Sequence, residues 1–303
     1  MLSRVAQRIY WMCRYLERVE NTARLVAVYG ELLMDLPSEA ELDWHVALQI
    51  LGLGEGVPNG NAFEFLLCGP HNTASLLSSM HQARENARTT RDVMPSEAWQ
   101  AINEMHLFVE SSLQSTAGGP GRRVPAEIVR RCHEITGIIE GGMSHGTAYH
   151  FACLGRSLER ADMTSRMLDV AASIMLSGRE ELQHHSSNIW RGVLRALSAY
   201  QMYRQSVRRR IVGEDVVCFL LLDPDFPRSC MHCTTRLDAA AAGLPRSEAT
   251  RGEIAALRQR LSAMDLQDVT YASVHQLVDD LQIELAALDR TIYETWLNPV
   301  RAA

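Results

Sequence analysis

At 303 residues, with 47% hydrophobic and 22% charged side chains, the chain has the composition of a globular protein with room for a large core. Its formal net charge of -6 excludes the basic face that a nucleic-acid backbone needs. All 30 basic residues are arginine, which rules out Schiff-base lysines, a lysine general base and a phosphate-loop lysine, and leaves guanidinium groups, suited to planar carboxylates and phosphates, for cationic recognition.

Taken in chain order, the pattern is helical throughout. Ser3 is placed to cap a first helix that runs to about residue 33, where Asp35-Leu36-Pro37 stops it. Ser38 with Glu41 resembles a capping box before a helix through Trp44 and Ile50, followed by a glycine-rich loop over 52–61 and a short helix over 63–68. Asn72 or Thr73 caps the next helix, which extends to about residue 93, and Pro95-Ser96 opens another that ends near 113. The stretch 116–121, Thr-Ala-Gly-Gly-Pro-Gly, reads as a linker within a single helical domain, 1–303, between repeat-containing halves of about 1–115 and 122–303.

A helix over 125–139 follows, Gly141-Gly142 interrupts it, and Ser144 caps a long helix to Leu176 that Ser177-Gly178 ends. Trp190, Leu194, Leu197, Tyr200 and Tyr203 share one stripe, so a single helix is expected up to Arg208-Arg209-Arg210. The apolar run 216–222 fits a strand or a buried helix; with no pairing partner nearby it is assigned to helix. Two prolines stiffen the loop 223–229, and helices are expected over about 230–241 and 246–264 and through Val274, Leu281, Leu288 and Ile292. With no convincing strand alternation, the fold class is all-α: a multi-helix bundle built around two repeat-related long helices, with sequential neighbours antiparallel.

The repeat is explicit. Arg14-Tyr15-Leu16-Glu17-Arg18-Val19-Glu20-Asn21-Thr22-Ala23-Arg24 returns as Arg156-Ser157-Leu158-Glu159-Arg160-Ala161-Asp162-Met163-Thr164-Ser165-Arg166, both R-x-L-E-R-x-[acid]-x-T-x-R. On a lone helix Glu17, Glu20 and Arg24 flank the apolar stripe beside Tyr10 and Asn21, and Glu159, Asp162 and Arg166 match them; Arg14, Arg18, Arg156 and Arg160 point toward solvent. Residues 84–91 echo the motif weakly with Glu85 and Arg88. One reading is solvated i,i+4 pairs worth about 0.2–0.5 kcal/mol each. The other is a shared site, because a solvated face has no reason to repeat the same residues in the same order.

As a site, Arg14, Arg24, Arg156 and Arg166 offer forks for carboxylates, while Glu17, Glu20, Glu159 and Asp162 receive an amine or hold those arginines rigid; a zwitterionic, peptide-like molecule fits. A different reading makes the chain an enzyme that forms or cleaves amide bonds, with Glu17 or Glu159 as general acid/base. A third makes the repeats interlocking buried salt bridges in a purely structural bundle.

Other motifs are incomplete. The one Glu-x-x-His, Glu181 to His184, and the arginines near the repeated acids argue against a carboxylate metal site, so no metal or other cofactor is expected. Cys230-Met231-His232-Cys233 is a lone C-x-x-C without the strand context of a redox motif; its role is open, with buried thiols the expectation. His133-Glu134 lacks the second histidine of a zinc protease, and no nucleophile elbow occurs. Seven scattered cysteines suit reduced cytoplasmic thiols. Arg4, Arg8, Arg14 and Glu17 break any signal-peptide pattern, and 216–222 is too short to span a bilayer, so a cytoplasmic location without membrane association is expected.

Several of these stretches together resemble the bacterial alpha-E family: Met1-Leu2-Ser3-Arg4-Val5-Ala6, Tyr10-Trp11 and Arg14 to Arg24; Ala83-Arg84-Glu85-Asn86-Ala87-Arg88; Leu154-Gly155-Arg156 to Val170; and Phe219 to Ser229. The departures are Cys230 and Cys233 and the tail after Trp296. The resemblance implies an all-helical partner of circularly permuted ATP-grasp ligases, in a setting of amide or peptide bond synthesis and processing. Its name-giving glutamates map onto Glu17, Glu20, Glu85 and Glu159. The expected function is therefore an accessory or substrate-binding component of such a ligation system, without ATP-dependent activity of its own; a homo-oligomer is compatible with this.

Overall fold

Unbroken apolar periodicity makes the two repeat segments the longest elements, α1 (Ser3–Asp35) and α7 (Thr147–Leu176). They lie side by side at the centre of a computed structural model that describes residues 2–35, 42–53, 62–69, 71–114, 123–176, 180–264 and 270–298. The pair is parallel and in register. Tyr10 meets Gly155, Glu17 meets Arg160, and Leu32 and Ile174 line the same cavity near the far end.

Between and after them run α2 (His45–Ile50), α3 (Ala62–Cys68), α4 (Leu76–Arg88), α5 (Ser96–Gln114) and α6 (Arg123–Gly142), then α8 (Glu180–His184), α9 (Ser186–Ala196), α10 (Tyr200–Ser206) and α11 (Gly213–Leu222). The chain closes with α12 (Cys230–Ala242), α13 (Glu248–Ser262), α14 (Tyr271–Ile292) and a π-helical turn, Tyr293–Leu297. The described residues contain no strand, so the all-α, multi-helix expectation holds. No helix among them is long and apolar enough to cross a membrane.

The surrounding helices form two similar trios. α4 and α6 pack on α1 with α5 bridging them, and α12 and α14 pack on α7 with α13 bridging α12 and α14. α4 and α12 even start alike: Ser75 and Ser229 each cap the helix, their side chains accepting from the backbone N–H of Ser78 and His232. That corrects the expected cap at Asn72 or Thr73. Asn72 instead ties down the preceding turn, donating to the Phe65 carbonyl and accepting from the Ala74 N–H.

Three boundaries also differ from the pattern. α4 ends at Arg88 rather than near 93, because the hydroxyls of Thr89 and Thr90 donate back to the carbonyls of Glu85 and Asn86 and close the turn. The single helix expected through Trp190 and Tyr203 is two, α9 and α10, broken where Ser198 takes a left-handed φ of 56°. α7 begins at Thr147, not at a Ser144 cap, because Gly146 N–H bonds the Ser144 carbonyl in a turn. The stop at Pro37, the capping box at Ser38, most of the 52–61 loop, the 116–121 linker and Ser177-Gly178 lie outside the described residues.

Candidate functional site: the paired Glu-Arg segments

Gly155 sets the geometry. A Cβ there would lie inside the van der Waals envelope of the Tyr10 carbonyl, so only glycine lets α1 and α7 approach backbone to backbone. At that spacing the side chains of one repeat reach the other. Arg18 donates from Nε to Glu159 Oε1 at 2.7 Å, and Arg160 donates from Nε to Glu17 Oε2 at 2.9 Å. Each glutamate of one copy is thus held by the arginine that follows the glutamate in the other copy. Glu17 and Glu159 are buried, at 3% and 1% residual exposure.

The second ligands differ. Arg14 also reaches Glu159, Nε to Oε2 at 2.7 Å. Its counterpart Arg156 does not reach Glu17; Glu17 Oε1 takes Nη1 of Arg228, the residue before the Ser229 cap. Arg228 further donates to Asn21 Oδ1 at 2.9 Å and to Glu20 Oε1 at 2.7 Å. Glu20 Oε1 also accepts from Arg24 at 2.8 Å and lies 3.2 Å from His133 Nε2. The sequence expectation that Arg14, Arg18, Arg156 and Arg160 face solvent is corrected: each lies against carboxylates, and Arg14 and Arg156 are 8% exposed. A lone-helix projection omits the neighbour that covers them.

Arg14 and Arg156 are anchored in matching fashion at their outer ends. Arg14 Nη1 donates to Asp289 on α14 at 2.8 Å, and the Tyr10 hydroxyl donates to the same oxygen. Arg156 Nη1 donates to Glu140 on α6, which also receives the Tyr149 hydroxyl. An acid and a tyrosine therefore hold each repeat arginine from outside. Arg14 also lies over the Trp11 ring, 4.8 Å from its centroid.

The electrostatics follow from this crowding. Burial alone would raise the Glu159 carboxyl's pKa, but the charges and hydrogen bonds of Arg14 and Arg18 outweigh it and hold the group below the usual carboxylate range. Burial likewise raises and Arg228, His133 and Arg24 lower Glu20, with a net shift far down. The space beside Glu17, Glu20 and Arg156 amounts to about 10 Å³, room for about one water. Chemically the arrangement is a set of carboxyl groups each met by guanidinium donors.

Not every residue singled out by sequence joins this network. Asp162 pairs with Arg166, one turn along its own helix, at 2.9 Å, and Arg166 lies against Gly52, which adopts a positive φ of 72°. Glu85 pairs with Arg84 and Arg88 on the surface of α4, not with α1 or α7. Sequence reasoning missed Arg228, Asp289 and Glu140, and weighed His133 only as part of an incomplete zinc-protease motif. Only Arg228 carried a signal, an arginine fixed between a rigid two-proline loop and a capping serine. Cys230 and Cys233 are buried, and burial pushes the Cys233 thiol up to about 12, so neither is a ready nucleophile or metal ligand. The described residues that could hold a metal are Asp169, His275 and Asp279.

Residues 1–297 match the Alpha-E family, described as a predicted alpha-helical domain with a conserved ER motif. The chain belongs to the Alpha-E family. In this Alpha-E chain the Glu-Arg dipeptide occurs twice, as Glu17-Arg18 and Glu159-Arg160, the four residues that cross between α1 and α7. Uncharacterized proteins of Mycobacterium bovis and Mycobacterium tuberculosis are similar to it, 24% identical over 321 residues that cover 94% of this chain. The chain spans about a third of their length, 34%. No solved structure matches it.

Proposed function

We propose that the chain is a non-catalytic helical module that acts with a second polypeptide, and that its paired Glu-Arg segments clamp the module together rather than process a substrate. One observation carries this reading. The Glu17 and Glu159 carboxylates are already occupied by four arginines of the same chain, and the cavity that Glu17 lines holds only about 10 Å³. A general base needs a pKa near the working pH and a reachable proton; Glu159 is driven the other way. The length of the mycobacterial relatives supports a module that works beside further protein. The partner proposed is a cytoplasmic circularly permuted ATP-grasp ligase, whose own site would hold the peptide-like substrate and activate its carboxylate.

Co-expression of this chain with such a ligase, followed by affinity capture, tests the proposal. A stoichiometric complex is expected, with no amide turnover by the isolated chain. Turnover of a peptide by the isolated chain that vanishes in Glu159→Gln, while the variant is still folded at the assay temperature, would overturn it.

A further inference from the structure

The repeat network leaves one titratable cluster unused, farther along α7 toward its C-terminal end. Asp169 of α7 faces His275 of α14, whose Nδ1 is in hydrogen-bond contact with Asp169 Oδ1, and Asp279 follows one turn along α14. One ligand atom from each of the three lies within 4.8 Å of the other two. In the Glu-Arg network every acid is met by guanidinium. Here, among the described residues, no arginine pairs with Asp169 or Asp279, and the partner of Asp169 is the imidazole of His275.

The positions are held by packing. Asp169 sits between the buried Leu168 and Val170, while His275 and Asp279 each follow a buried valine, Val274 and Val278. Their Cα positions are thus fixed by two helices in extensive contact. Sites on packed helices keep ligand geometry better than sites on loops. The side chains themselves reach solvent, Asp169 at 21% and His275 at 44% exposure, so a cation could enter and keep water in its remaining positions.

We infer that Asp169, His275 and Asp279 form a divalent-cation site of the zinc class that pins α14 to the second repeat helix. One imidazole nitrogen and two carboxylate oxygens match the ligands that zinc accepts, with water completing the tetrahedron. The imidazole disfavours magnesium and calcium, which take oxygen ligands, and the order of affinities places zinc above manganese. The cation would take the place of the hydrogen bond between His275 Nδ1 and Asp169 Oδ1. This inference does not depend on the ligase reading.

The test uses the full chain stripped with a chelator and titrated calorimetrically with zinc chloride at neutral pH. One zinc per chain is expected, together with a higher unfolding midpoint in saturating zinc. Asp279→Asn changes an exposed side chain and leaves the fold intact; it and His275→Gln should each weaken zinc binding by at least about tenfold and abolish the midpoint shift. Absence of saturable uptake below millimolar zinc would overturn the site. So would uptake of the same stoichiometry and affinity in both variants, which would locate the metal at other groups such as Cys218 or His232.

Discussion

The two halves of the core use one motif to different ends. Around Glu159 the ligands are Arg14 and Arg18, both from the other repeat. Around Glu17 one ligand is the reciprocal Arg160, but the other is Arg228, from the loop before α12. The corresponding residue before the Ser75 cap of α4 is Ala74, so nothing equivalent can reach in on that side. Arg228 also gathers Glu20, which is 2% exposed, whereas its repeat counterpart Asp162 keeps only Arg166 and 19% side-chain exposure. The repeat thus supplies a symmetric cross-pairing, and one arginine outside it converts one side into a buried network.

Removing that arginine breaks the comparison hardest. Arg228→Ala withdraws one cation from Glu17 and Glu20 together, leaving each with a single arginine, Arg160 and Arg24, and breaking a buried pair costs about 3–5 kcal/mol. A large drop in the denaturant midpoint is expected, well beyond that of Arg18→Ala, which takes one cation from one carboxylate rather than from two. Equal losses in the two variants would refute the asymmetry.

A milder comparison sets Glu20→Gln against Asp162→Asn. The first removes a buried charge that accepts from two arginines and should destabilise by about 1.5–3 kcal/mol. The second weakens one i,i+4 pair near the surface and should cost at most about 1 kcal/mol. Chemical denaturation of both variants reads the difference directly.

The smallest effect is in the pH dependence. Glu159 and Glu20 have folded-state pKa values below their unfolded values. Their contribution is therefore complete above the unfolded value of about 4.3 and is lost as pH falls through it toward the depressed one. The unfolding midpoint should stay level from neutral pH to about 5 and drop below that. Glu159→Gln, already lacking one such group, should show a lower plateau and a shallower acid limb; an acid limb as steep as the parent's would remove Glu159 from the set.

Much of this core is legible in the sequence. The repeated Glu17-Arg18 and Glu159-Arg160, their helical phase and their meeting across a shared interior follow from one internal match. What periodicity could not supply is which residues cover the arginines. Arg18 and Arg160 look exposed on a wheel because a wheel contains one helix, and their partners lie more than 140 positions away. Asp289 and Glu140 were illegible for the same reason: each is an ordinary helical acid until α14 or α6 packs beside a repeat arginine. The break at Ser198 escaped because its apolar stripe continues on both sides of it.

The contact of Gly155 with the Tyr10 carbonyl constrains how this molecule can move. Sliding α7 by one turn, about 5.4 Å, would bring a side chain such as that of Leu158 or Glu159 to the point where only a hydrogen atom fits. The central pair therefore cannot ratchet. A message crossing the protein from one trio to the other has to be carried by tilting of the outer helices about a rigid two-helix spine.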